Sequence, residues 1–146
     1  MFYARRAGGI TSSANYPYTA REGTCKDSLY AGVSNISSVW QATPKSQAAL
    51  LYAIDQGPAA ITLDASSSTF QRYTSGIVNT RKCGTSLNHA VVAVGYGTWD
   101  KGYYYIVRNS WGTAWGNRGY INIAASGEGK IGVCGIQSYT YFPEMV

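Results

Sequence analysis

The sequence predicts an α+β fold in which several antiparallel strands and one main helix make a closed or nearly closed β-barrel. Three observations carry this. Short apolar runs of strand character recur at residues 59–65, 90–94, 103–107 and 119–124, bounded by the Gly, Asn and Ser clusters that punctuate strands. Four Trp and thirteen Tyr suit a pleated interior whose polar tips reach water. One stretch alone, about residues 44–56, has a substantial helical pattern.

The elements follow in order. Residues 1–7 read as the end of a helix stopped by Gly8-Gly9, because glycine accepts the left-handed conformation of a C-cap. A helix ending so early is expected to be the truncated last turn of a longer one. Residues 11–27 are a loop by composition, with turn signals at Ser12-Ser13, Asn15-Tyr16-Pro17-Tyr18 and Glu22-Gly23. Residues 30–40 form a strand with Val33, Ile36 and Val39 as its inward positions, and Asn35-Ile36-Ser37 is a glycosylation sequon relevant only to a secreted protein. Thr43 supplies an N-cap hydroxyl and Pro44 the first helical turn. Leu50, Leu51 and Ile54 then give the main helix an apolar face, and Gly57-Pro58 ends it. A strand at 59–65 is followed by a short helical turn at 70–73. Gly95-Tyr96-Gly97 reads as a strand-end turn, and segments 119–124, 132–136 and 138–142 complete the sheet.

Composition excludes several function classes. One domain fits 146 residues, and 45% hydrophobic with 14% aromatic content excludes disorder. The net charge of +5 arises from only seven acids. Arg5-Arg6 and Arg81-Lys82 are too small a basic cluster for nucleic acid. No apolar run approaches the ~18–20 residues of a membrane span, and no signal peptide opens the chain, so the compartment is not readable from a targeting segment. One His and three separated Cys lack the spacing that zinc requires, and no phosphate-binding glycine motif occurs, so no metal or cofactor is expected.

The chemistry concentrates between Cys83 and Gly116. His89, the one histidine, opens the run at 90–94, and the run at 103–107 leads into Asn109-Ser110-Trp111. Two adjacent strands joined by a Gly-rich turn would bring His89 and Asn109 side by side. An amide oxygen can then fix the imidazole's tautomer, while Trp111 and Trp115 roof the pair against water. Taken singly, a histidine such as His89 is more often a satisfied core or edge residue, and an asparagine such as Asn109 is usually a turn residue. Together, Asn88-His89-Ala90 and Asn109-Ser110-Trp111-Gly112-x-x-Trp115-Gly116 strongly resemble the right-hand domain of papain-like cysteine peptidases, the family of papain and the cathepsins. The resemblance runs from about Phe2 to Pro143.

It implies that His89 and Asn109 are catalytic, as proton carrier and orienting amide. It implies a pocket for the side chain two residues before the scissile bond, lined by Thr62, Asn88, Ala90 and Tyr139. Tyr139 at its floor would shorten the pocket and favour medium apolar side chains over arginine. Trp111 and Trp115 join the substrate-binding set, Trp115 on the leaving-group side. Cys83 and Cys134 match a disulfide of the family, whereas Cys25 matches a cysteine normally bridged to the left-hand domain. Residues 1–29, including Tyr16-Pro17-Tyr18, correspond to left-domain remnant and crossover, and 30–146 to the right-hand β-barrel. The nucleophilic cysteine and the oxyanion-hole glutamine lie in the left-hand half, so the chain is expected to be inactive alone. The alternative is a non-catalytic half-domain that binds peptides or inhibitors. Expected partners are a peptide or protein substrate, the left-hand domain, and an inhibitor or propeptide; neither nucleic acid nor membrane is expected. The resemblance implies a lysosomal, vacuolar or secreted setting.

Overall fold

The computed structural model describes residues 1–145. Chain contacts divide it into two compact units, Met1–Trp40 with the residues from Pro143 on, and Gln41–Phe142. Strands β1 (Ile36–Gln41), β2 (Ala59–Leu63), β3 (Ile77–Val78), β4 (His89–Trp99), β5 (Gly102–Arg108), β6 (Tyr120–Ala124) and β7 (Thr140–Met145) form one mixed sheet in the order β1-β7-β2-β4-β5-β6-β3. The fold is α+β, as the sequence predicts. Its short β3–β6 pair is parallel.

In the first unit, helix α1 spans Phe2–Arg6 and Gly8-Gly9 follows it. An isolated bridge joins Ile10 to Ser34. Tyr3 donates its hydroxyl to the Asp27 carboxylate. That bond pushes the phenol up to about 12 and holds Asp27 below the usual carboxylate range. The strand expected over residues 30–40 begins only at Ile36, and Val33, read as inward, is 69% exposed.

The second unit contains the main core. Helix α2 spans Gln47–Gln56, so Pro44 precedes it in a turn and Thr43 is not its cap. Ser46 is the cap instead, its hydroxyl accepting from Ala49 N at 3.1 Å. Glu128, distant in sequence, accepts from Ala48 N at 2.7 Å, an anion at the positive end of the helix dipole. Leu50 and Ile54 are buried with Ile61, Leu63, Phe70, Tyr105, Val107, Ile121, Ile123 and Ile136. Gln137, equally buried, accepts from Tyr105 Oη and Ser126 N and donates to the carbonyls of Gly127 and Lys130. Its amide is thus fully engaged, which offsets its burial. Burial raises the Tyr105 phenol, with the nearby Glu128 charge adding to the effect.

Two segments differ from the form expected of them. Gly95-Tyr96-Gly97 is not a turn but lies inside β4, which runs on to Trp99 and turns at residues 100–101. The glycines serve the pairing with β5. The register slips between Ala93 and Gly95, and a Cβ on Gly97 would fall 2.5 Å from Tyr104 Cζ, so the ring lies where a side chain would stand. Residues 132–136 are likewise not strand. Val133–Gly135 is a 3-10 turn with Cys134 at φ +55, tethered by the Cys83–Cys134 disulfide.

Candidate active site

Strand pairing assembles the site. Leu63 of β2 lies opposite His89 at the start of β4, and Thr62 lies opposite Ala90. The β4–β5 ladder begins with Val92 opposite Arg108; continued one step it sets Asn109, the residue that follows β5, opposite Val91, so Asn109 meets His89 on the diagonal. His89 Nε2 stands 2.9 Å from Asn109 Oδ1. Asn109 is buried, and its Oδ1 also accepts from Ser110 N at 2.8 Å. An oxygen accepting from a backbone N–H fixes which end of the amide faces the ring. The imidazole must therefore donate through Nε2, which leaves Nδ1 free to exchange a proton. The cost falls on Asn109 Nδ2, which is buried without a hydrogen-bond partner among the described residues. Rotating the amide would set its NH₂ against the Ser110 N–H, which is a fixed donor.

Aromatic rings enclose the pair. Trp111 lies 5.1 Å from the imidazole centroid and is 42% exposed, so it forms the outer wall. Trp115 sits behind it at 5.5 Å, its Nε1 donating to the Gln71 carbonyl. Phe70, fully buried in the short helix α3 (Ser68–Gln71), touches His89, Trp111 and Trp115 at centroid distances of 6.1, 5.4 and 5.0 Å. The sequence placed Phe70 only in a helical turn. A lone aromatic among serines was the available signal.

The other predicted residues take up varied positions. Thr62 and Ala90 face each other across the β2–β4 ladder. Tyr139, 48% exposed, joins them through its carbonyl, which accepts from Thr62 N at 3.3 Å. Thr62 Oγ1 is buried and has no partner among the described residues. Asn88 differs, because its side chain is spent within the fold: Oδ1 accepts from Ala65 N at 2.9 Å and Nδ2 donates to Asp64 at 3.1 Å. Asp64 itself escaped the sequence reading, although a lone acid ending an apolar strand is a visible signal. The Cys83–Cys134 bridge forms as expected, with 4.9 Å between Cα atoms, and Cys25 is free and exposed. No group of His, Cys, Asp and Glu suited to a metal occurs among the described residues, and no helix is long and apolar enough to cross a membrane.

The model of the papain family of cysteine proteases matches residues 1–144. The chain belongs to that family. Vignain of Vigna mungo is 42% identical over 97% of this chain, and macrodontain-1 of Ananas macrodontes is 38% identical over 94%. The bromelain protease of Ananas comosus, solved with an inhibitor bound, superposes with a TM-score of 0.90 at 38% identity over 99% of the chain. The ragweed allergen Amb a 11, solved in its proform, gives 0.91 at 34% identity. The chain spans 39% of the length of vignain and 62% of macrodontain-1. It thus corresponds to part of the length of these proteases, consistent with the C-terminal half.

Proposed function

We propose that these 146 residues are the histidine-bearing half of a papain-type cysteine endopeptidase, completed by a half that carries the nucleophilic thiol. The observation that carries this reading is the His89 Nε2–Asn109 Oδ1 bond under the Trp111 wall. In the proposed reaction His89 Nδ1 takes the proton of a cysteine thiol, giving a thiolate–imidazolium pair. The thiolate attacks the peptide carbonyl. The imidazolium then returns its proton to the leaving amine, and a water deprotonated by His89 hydrolyses the thioester. Asn109 holds the ring throughout. None of the three cysteines is assigned the nucleophile's role: two are bridged, and Cys25 donates to Asp27 Oδ1.

The chain alone is therefore expected to be inactive, since losing one member of a catalytic unit costs about as much as losing all of it. The test is to mix the chain with the separately produced nucleophile-bearing half of a related protease and follow a fluorogenic peptide. Activity that needs both pieces and vanishes in His89→Ala supports the proposal. Hydrolysis by the chain alone, or a mixture indifferent to His89→Ala, defeats it. The exposed Trp111 and Tyr139 favour a second reading, in which the half-site holds peptides, a propeptide or an inhibitor without cleaving them. Binding of such ligands by the chain alone, together with no activity in the mixture, would select it.

For the completed enzyme we propose that Thr62, Ala90 and Tyr139 shape a pocket that prefers medium apolar side chains. A peptide library showing arginine preferred there would overturn this. The disulfide fits an oxidising setting, vacuolar, lysosomal or secreted.

A further inference from the structure

Asp64 is the one carboxylate of the second unit that is almost wholly buried, 3% exposed. It lies just past the end of β2 and faces hydrogen-bond donors from two segments. Its Oδ1 accepts from Ser66 N at 3.0 Å, from Ser66 Oγ, and from Asn88 Nδ2 at 3.1 Å. Its Oδ2 accepts from Ser86 N at 2.9 Å. Gly84, at φ +81, passes so close that a Cβ there would stand 2.4 Å from Oδ2; both the dihedral and the contact demand glycine. The segment from the disulfide at Cys83 to Asn88 is thus wound around a single carboxylate.

That segment ends at the imidazole. Asn88 is exposed, yet three hydrogen bonds pin it to residues 63–65: its N–H to Leu63 O, its Oδ1 to Ala65 N and its Nδ2 to Asp64. The next residue is His89. Asn109 holds the imidazole from the ring side, through Nε2. From the main-chain side the β2–β4 ladder, which sets His89 opposite Leu63, and the Asn88 bonds to residues 63–65, the Asp64 carboxylate among them, hold the residue.

We infer that Asp64 is a positioning residue for His89, fixing the backbone at residues 84–88 so that the imidazole meets Asn109 with Nδ1 directed outward. The inference rests on the reading of His89 as the proton carrier, but it concerns the ring's placement, so it is tested without any peptidase activity. The chain has one histidine, which makes its imidazole signals unambiguous in heteronuclear NMR. In the native chain a slowly exchanging Nε2–H is expected, with the ring confined to that tautomer. Asp64→Asn keeps the shape but sets an NH₂ against the donors that surround it. Loss of the slow Nε2–H and a mixture of tautomers are the expected result.

Leu50→Ala, a remote core truncation, serves as the control for general loosening, and in it the Nε2–H signal is expected to persist. Pairing Asp64→Asn with Asn88→Asp again sets one carboxylate against one amide and is expected to restore part of the signal. Should Asp64→Asn not fold, Asn88→Ala removes the link while the carboxylate keeps its donors from Ser66 and Ser86, and the same loss is expected. An unchanged Nε2–H signal in folded Asp64→Asn, or in Asn88→Ala, overturns the inference, as does its loss in Leu50→Ala. Failure of the mixing experiment with these NMR results intact would defeat the peptidase reading alone.

Discussion

Asn109 commits its amide oxygen twice, to His89 Nε2 and to Ser110 N, and leaves its NH₂ buried without a partner among the described residues. A group whose other atom goes unsatisfied is maintained by what its oxygen does. Asn109→Ala should therefore free the ring. A hydrogen bond to a group that becomes charged is worth about 1.5–3 kcal/mol, so kcat/KM of the completed enzyme should fall roughly 10- to 150-fold. A fall of less than threefold would remove Asn109 from the mechanism. Asp64 makes a second prediction at this scale. The hydrogen bonds from Ser66, then those from Ser86 and Asn88, lower its carboxyl from an ordinary 3.8 to about 2. A depressed folded-state value stabilises the fold above the unfolded value, and that stability is lost as pH falls through the folded one. Acid denaturation of the native chain should show a loss between about pH 4 and pH 2 that is absent in Asp64→Asn. Superimposable acid profiles would contradict it.

At the scale of elements, α2 depends on its N-terminus. Ser46 and Glu128 together satisfy two of the amides that its first turn leaves open. Ser46→Ala should destabilise the chain by about 0.5–2 kcal/mol, read as a lower denaturant midpoint at unchanged slope. Glu128 contributes with a pH sign. Its bond from Ala48 holds its carboxyl below the ordinary value, so its contribution is present at neutral pH and fades on acidification. The β4–β5 hairpin shows how far element boundaries escape a sequence reading. Its glycines looked like a turn because glycine usually marks one. Here Gly97 gives way to the Tyr104 ring, a packing reason that no local pattern displays.

At the scale of the molecule, the Cys83–Cys134 bridge closes a loop across 51 positions and ties the segment leading to His89 to the 3-10 turn at Val133–Gly135. Reducing it should lower stability by about 2–5 kcal/mol, a fall in Tm of roughly 5–20 °C. A thiol reagent should find one reactive group, Cys25, in the native chain and all three cysteines after reduction and unfolding. A second reactive thiol under native conditions would contradict the bridge.

The sequence by itself determined the α+β class, the main helix's apolar face and its stop at Gly57, and the meeting of His89 with Asn109. These follow from hydrophobic periodicity, from glycine and from the proximity of adjacent strands, all of which are local or nearest-neighbour properties. Tertiary structure alone decided that Ser46 rather than Thr43 caps α2 with help from Glu128, that Phe70 backs the aromatic wall, and that Asn88 turns its side chain to Asp64. Glu128 with Ala48, Phe70 with the two tryptophans and Asn88 with Asp64 all pair residues far apart in the chain. Their partners are chosen by which polar groups burial leaves unsatisfied, a condition that exists only once the chain has folded.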